Sequence, residues 1–124
     1  MDIIISNSSQ KPIYEQITAQ LKSMILSGAL QEGDALPSMR VLARDLRISV
    51  ITTKRAYEDL ERDGFIETVA GKGCFVAGRN MELLREEQLR RAEEYLQNAV
   101  NIARTSGITQ SELIEILKLI YTED

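Results

Sequence analysis

Residues 40–55 concentrate the side chains that could bind a polyanion. Five cations and one acid, Asp45, give this stretch a net charge of +4 in a chain whose net charge is −4. Guanidinium and ammonium groups bind phosphates and base edges, so a local basic surface indicates a nucleic-acid partner better than net charge does. A solvated surface of exposed salt bridges is the alternative for the same charges. The five cations are Arg40, Arg44, Arg47, Lys54 and Arg55.

Side chains for catalysis or metal binding are scarce. The chain has no histidine and a single cysteine, Cys74. It therefore lacks the commonest general base and the commonest metal ligand, and a zinc site is not expected. The glycines of "AGKG" do not have the spacing of a phosphate-binding P-loop. We expect no catalytic residues, no metal and no cofactor.

Bulk composition favours a cytoplasmic protein. The chain has 124 residues, of which 44% are hydrophobic and 27% charged, as in ordinary globular domains. No apolar run approaches the ~20 residues that span a bilayer, and the N-terminus lacks the pattern of a signal peptide. One cysteine excludes an internal disulfide and fits a reducing compartment. No membrane partner is expected.

Two helices are predicted in the first part of the chain. The first spans 12–27, with Pro12 at its first position and Gly28 at its exit. The second begins at a Ser38 cap and ends near Leu46, with its three arginines on one face. The apolar stripe of the first helix has three- and four-residue spacing and consists of Ile13, Ile17, Leu21, Met24 and Ile25.

A third helix, within 49–64, is predicted to have one buried face and one binding face. Ser49 is a natural N-cap, and a tight turn joins this helix to the second one as a helix-turn-helix. At 100° per residue, Ile51, Arg55 and Glu58 lie opposite the buried side, with Thr52 and Lys54 flanking them. A salt bridge from Arg55 to Glu58 or Asp59 is the alternative to a binding role. The buried side consists of Thr53, Ala56, Tyr57 and Leu60.

The next segment is predicted to be a β-hairpin. Its strands are 65–69 and 74–77, with alternation along the first, and the turn contains Gly71, Lys72 and Gly73. A hairpin after a helix-turn-helix makes a winged helix, in which Lys72 and backbone N–H groups can approach a phosphate. An ordinary solvated lysine is the alternative.

Residues 79–124 are predicted to form a tail of two amphipathic helices, at 79–105 and 111–123, with a capping box at 109–112. Such short helices must dock on residues 1–78 or on a second copy of the chain, and we favour dimerisation. The fold is then mainly α with a small β-hairpin: a winged helix-turn-helix domain (1–78) and a two-helix dimerisation tail (79–124). The expected interface residues are Leu89, Leu96, Leu113, Ile116, Leu117 and Ile120.

Residues 11–78 resemble the GntR family of bacterial transcription regulators. The motifs "PIYEQI", "G-x-L-x-x-G-D-x-L-P-S-x-R-x-L-A" and "G-K-G-x-F-V-A" occur together and in order. The short tail and the "RAY" of 55–57 resemble the YtrA subfamily, whose members carry two C-terminal dimerisation helices. The resemblance implies a repressor that binds an inverted-repeat operator as a homodimer. Any small-molecule effector, whose identity the residues do not reveal, would bind at the tail helices or the domain junction.

The resemblance also implies which residues contact DNA. Family members often have Ser-Arg-x-Thr where this chain has Ser49-Val50-Ile51-Thr52. Val50 cannot donate to guanine, whereas Ile51 can offer methyl contact to thymine. The competing functions are a winged-helix module that binds protein and an enzyme. The basic cluster argues against the first, and the lack of a nucleophile–base pair argues against the second. The expected DNA contacts are Arg40, Ser49, Ile51, Thr52, Lys54, Arg55, Gly71, Lys72 and Gly73.

Overall fold

The computed structural model describes residues 1–78 and 81–122, which form a winged helix-turn-helix followed by two further helices. This confirms the predicted fold class. Contacts group the chain into two compact units, Met1–Arg85 and Glu86–Asp124, each described separately below. None of the described helices is both long and apolar enough to cross a membrane. The elements are α1 (Ile13–Leu26), α2 (Met39–Leu46), α3 (Val50–Arg62), β1 (Ile66–Val69), β2 (Gly73–Val76), α4 (Met81–Ser106) and α5 (Gln110–Thr122).

Helix α1 supplies one wall of the first unit's core, and Ile17, Leu21 and Ile25 are all buried there. Its start differs from the prediction by one residue. Pro12 has an extended ψ of 150° and acts as the N-cap, not as the first helical residue. The Pro12 carbonyl accepts hydrogen bonds from the N–H groups of Glu15 and Gln16 in the first turn. The predicted exit is confirmed, because Gly28 has a φ of +86°.

The predicted buried side of α3 is confirmed, since Thr53, Ala56, Tyr57 and Leu60 are its buried residues. The Tyr57 hydroxyl donates to the Pro37 carbonyl at 2.8 Å and so ties α3 to the loop before α2. Burial, with a smaller contribution from Cys74, raises the pKa of the Tyr57 phenol well above its usual value. Tyr57 therefore stays neutral and acts as a structural donor.

The turn between α2 and α3 depends on Arg47. The serine caps of α2 and α3 are confirmed: Ser38 accepts from the Val41 N–H, and Ser49 accepts from the Thr52 N–H. Arg47, in contrast, is the C-cap of α2 and has a left-handed φ of 58°. The expectation that Arg47 shares the basic face of α2 is wrong, because the helix has ended before it.

We expect Arg47→Gly to stabilise the protein. A left-handed conformation costs an L-residue about 1–2 kcal/mol, which glycine avoids. Glycine loses more conformational entropy on folding, however, and this reduces the gain by about 0.5–1 kcal/mol. The net gain in the free energy of unfolding should be about 0.5–1 kcal/mol, measured by urea denaturation. Arg44→Gly, inside α2, is the matched control and should lose about 1 kcal/mol. Equal destabilisation by both changes would contradict this account of the turn.

The hairpin is antiparallel, with Ile66 opposite Val76 and Val69 opposite Gly73. Burial does not alternate along β1 as predicted. Phe65, which precedes the strand, and Ile66 are both buried, whereas 67–69 are exposed. The reason is that β1 leaves the core after its first residue. The segment between α1 and α2 also contributes to the sheet, because Ala35 pairs with Phe75 of β2 as an isolated bridge.

The start of α4 belongs to the first unit. Leu84 is fully buried in the winged-helix core, and Met81 packs against the same cluster. The contacts therefore divide the chain after Arg85. Arg79 and Asn80, where the first tail helix was predicted to begin, lie outside the described residues. The functional division into 1–78 and 79–124 stays a prediction.

The second unit contains the rest of α4 and all of α5. One of the two bonds of the predicted capping box is confirmed, since the Glu112 N–H donates to the Thr109 hydroxyl at 3.2 Å. Gly107, with a φ of 71°, makes the reversal between the helices. Glu123, the predicted end of the last helix, lies outside the described residues. No residue from Gln110 to Thr122 is buried, so the apolar side chains of α5 remain accessible.

Candidate nucleic-acid interface

The binding face predicted for α3 is exposed. Ile51 has 80% of its surface accessible, and Arg55 is exposed as well. Lys54 retains 62% of its side-chain surface and faces Glu58 at 3.8 Å. Thr52 is half-buried. An aliphatic side chain that projects into water beside two cations suits the floor of a DNA major groove, where apolar atoms meet thymine methyl groups.

Ser49 has a structural function in the first turn of α3. Its hydroxyl accepts from the Thr52 N–H at 3.1 Å and lies 2.8 Å from the Thr52 hydroxyl. These bonds hold the free N–H groups at the helix start, where an N-cap contributes about 1 kcal/mol. A direct contact from Ser49 or Thr52 to DNA stays a prediction.

Arg55 does not form the acidic pair that was its alternative. Its Nη2 donates to the Tyr14 hydroxyl at 3.0 Å, and its guanidinium carbon lies 3.7 Å from the centre of the Tyr14 ring. The two acids that follow on α3 face other cations: Glu58 faces Lys54, and Asp59 faces Arg62 at 3.1 Å. Arg55 is thus held by an aromatic ring, and no ion pair for it occurs among the residues that the structure describes.

The cations of α2 are arranged differently. Arg40 is exposed in the first turn, and no ion pair for it occurs within residues 1–78 and 81–122. Arg44 lies 3.6 Å from Asp45, and both side chains are largely exposed. Exposed pairs of this kind contribute little to stability. Arg40 is therefore the cation of α2 that is most available to a phosphate or a base.

The hairpin presents an open turn. Gly71 and Gly73 have φ values of +74° and +111°, which L-residues rarely adopt. A Cβ at either position would meet nothing within 4 Å, so backbone conformation, not crowding, requires glycine there. Lys72 is exposed, and its N–H donates to the Val69 carbonyl at 2.9 Å. The described residues include no ion-pair partner for its ammonium group.

Lys72→Ala is expected to weaken DNA binding to a similar degree for all sequences. Loss of one phosphate contact should reduce the slope of log K against log salt by about one unit. Titrations of a labelled duplex at several salt concentrations measure that slope. Lys118→Ala, which removes another exposed lysine on α5, should leave it unchanged. An altered sequence preference with an unchanged slope would mean that Lys72 reads bases.

An apolar groove lies between α4 and α5. Leu89, one of the six expected interface residues, does not line this groove, although 60% of its surface is exposed. The other five expected interface residues line it, and all of them except Leu113 are 42–59% exposed. Accessible apolar side chains that are concentrated in one groove are typical of an interaction surface. The groove is lined by Leu96, Ala99, Val100, Gln110, Leu113, Ile114, Ile116, Leu117 and Ile120.

Sequence reasoning did not single out Tyr14, although it lies in the "PIYEQI" motif. Its contact with Arg55 joins residues 41 positions apart, and no local pattern signals a pairing over that distance. Among the described residues, no group of three His, Cys, Asp or Glu side chains could hold a metal ion.

Comparison with known proteins places this arrangement in a family. The model for "Bacterial regulatory proteins, gntR family" matches residues 13–76. The HTH-type transcriptional repressor YtrA of Bacillus subtilis (strain 168) is 36% identical over 121 residues, which cover 98% of this chain and 93% of YtrA.

Two solved structures extend the similarity to the fold. The transcriptional antiterminator from Listeria monocytogenes EGD-e has a TM-score of 0.74 at 33% identity, covering 100% of this chain and 92% of its own. The crystal structure of AraR(DBD) in complex with operator ORX1 has a TM-score of 0.55 at 25% identity, covering 62% of this chain and 96% of its own. The chain therefore belongs to the GntR family of bacterial regulatory proteins, as a DNA-binding transcriptional regulator similar to YtrA and not as an enzyme.

Proposed function

We propose that the protein is a homodimeric repressor that binds an inverted-repeat operator through α3 and the β-hairpin. The single observation that carries this proposal is the exposed face of α3, where Ile51 and Arg55 project opposite a fully formed core. A helix with this division of faces can enter a major groove without losing its packing. A DNA-binding function also requires the cytoplasm, where a bacterial chromosome lies.

Each exposed side chain has a distinct role in this proposal. Arg55 donates two hydrogen bonds to guanine, and Ile51 contacts a thymine methyl group. Arg40 reaches a base edge or a phosphate from α2. Lys54 and Lys72 contact phosphates, which position the protein but carry no sequence information. The backbone at Gly71 and Gly73 brings the hairpin close to the sugar–phosphate chain.

Dimerisation is proposed to occur through the tail. The supporting observation is that α5 has no buried residue, although its sequence is rich in leucine and isoleucine. A second copy of the chain is the partner that fits this groove. Under two-fold symmetry the same residues of both chains meet, so the apolar side chains of the two tails can pack against each other. Two recognition helices related by that axis read half-sites in opposite orientation, which predicts an inverted repeat.

Similarity to a known repressor favours repression over activation. YtrA of Bacillus subtilis is named a transcriptional repressor and is similar over 98% of this chain. A dimer bound to an operator can block RNA polymerase sterically from the promoter. The function proposed here therefore needs no catalytic group. A transcription assay with the purified protein and the promoter that carries its operator should show fewer transcripts as protein is added.

Selection of bound duplexes from random DNA tests this proposal. The full-length chain should enrich an inverted repeat whose half-sites are one or more helical turns apart, about 10 bp per turn. Each half-site should contain a guanine for Arg55 and a thymine for Ile51. Enrichment of one unrepeated motif, or of a direct repeat, would contradict the two-fold arrangement. Failure to enrich any motif would contradict sequence-specific binding.

A further inference from the structure

We propose that Tyr14 is a positioning residue of the DNA site, which holds Arg55 in the orientation that reads the operator. This inference rests on the proposed role of Arg55. It assigns to α1, which carries Tyr14, a function in recognition besides its place in the core. The contact that carries it is the Arg55 guanidinium, 3.7 Å above the Tyr14 ring centre and 3.0 Å from its hydroxyl.

The Tyr14 ring is a fixed support. It is half-buried and packs against the hydrophobic core of the first unit. Its hydroxyl donates to Glu15 Oε1 at 3.3 Å, which leaves an oxygen lone pair to accept from Arg55 Nη2. The ring therefore fixes the end of a long side chain that would otherwise move freely in solvent, as exposed arginines do.

Stacking leaves the reading edge of Arg55 free. A guanidinium has five N–H donors in its plane, and an aromatic ring covers its face. The bond to Tyr14 uses one donor. The donors that remain are sufficient for the two parallel bonds by which arginine recognises guanine. The contact with Tyr14 and the proposed contact with DNA therefore engage different parts of the same group.

An aromatic support also preserves charge. Glu58 and Asp59 follow Arg55 at the spacings that favour helix ion pairs. They face Lys54 and Arg62 instead. A carboxylate on Arg55 would have to be displaced before DNA could bind, whereas a neutral ring need not be. Because the side chain is ordered before DNA arrives, less conformational freedom is lost on binding, and affinity increases.

Tyr14→Leu and Tyr14→Phe, each alone and combined with Arg55→Ala, test the inference on the selected operator. Tyr14→Leu should weaken binding about three- to tenfold, as loss of the stack and the hydrogen bond implies. Tyr14→Phe keeps the ring face and should weaken binding less. In the Arg55→Ala background, both changes should have no further effect, because the group that they position is gone.

Base preference separates positioning from general stabilisation. Tyr14→Leu should relax the preference at the same base pair that Arg55→Ala relaxes and leave the other positions unchanged. This preference is a ratio of affinities, so a fraction of unfolded protein does not alter it. Equal weakening across all sequences, or additive effects of Tyr14→Leu and Arg55→Ala, would overturn the inference. If Arg55→Ala itself leaves binding unchanged, the proposed role of Arg55 fails as well. If Arg55→Ala weakens binding and Tyr14→Leu does not, the inference about Tyr14 fails alone.

Discussion

Leu117→Glu is expected to convert the proposed dimer to a monomer and to weaken binding to the full operator about 10²–10⁴-fold. Leu117 lines the apolar groove of the tail and is 42% exposed in the single chain. In a dimer, the new carboxylate would be buried among apolar side chains without a partner, which is strongly unfavourable. The loss of affinity follows because the second half-site is no longer bound at high effective concentration. Sedimentation and gel-shift titration measure the two effects.

Ser111→Glu is the matched control for this change. It places a carboxylate on the same helix at an exposed position that does not line the groove. In the first turn of α5 a negative charge is also favourable for the helix dipole. Ser111→Glu should therefore remain dimeric and bind normally. If Leu117→Glu is a folded monomer that binds the full operator at wild-type affinity, dimerisation does not contribute to the binding of DNA.

Arg55→Ala is expected to weaken operator binding by about 1–3 kcal/mol, roughly 5- to 150-fold, and to relax preference at one base pair. The physical reason is the loss of two hydrogen bonds to a base edge in the groove. The fold should survive, because Arg55 lies opposite the buried side of α3. Gel-shift titrations with the selected operator and with single-base variants of it measure both effects.

Arg62→Ala is the control for Arg55→Ala. It removes an arginine from the other end of α3, where the exposed Arg62 pairs with the partly buried carboxylates of Asp59 and Asp63. This variant should bind the operator as the wild type does. Unchanged affinity in Arg55→Ala, or an equal loss in Arg62→Ala, would mean that α3 does not read DNA through Arg55.

Local sequence signals were sufficient to predict most of the first unit. Ser38 and Ser49 were recognised as caps because short polar side chains satisfy free N–H groups at helix starts. The buried side of α3 followed from a period of 3.6 residues. The glycines around Lys72 predicted a hairpin turn, and both have a positive φ in the structure. Each of these signals is local, since it depends on residues within one or two turns of chain.

Features that depend on tertiary contacts could not be predicted in this way. Leu84 belongs to the core of the first unit because of packing across the fold, not because of any pattern near it. The bridge from Ala35 to Phe75 joins the segment between α1 and α2 to a strand residue 40 positions later. Arg47 adopts a left-handed conformation without the glycine that usually marks one. The Tyr14–Arg55 contact likewise depends on how α1 and α3 are placed in space.

The most direct test of the central claim is the stoichiometry of the wild-type protein on its selected operator. Analytical ultracentrifugation with labelled duplexes compares the full inverted repeat with a duplex that carries one half-site. The proposed function predicts two chains on the full repeat, bound together, and much weaker binding to the half-site. A single chain on the full repeat, with equal affinity for the half-site, would contradict it.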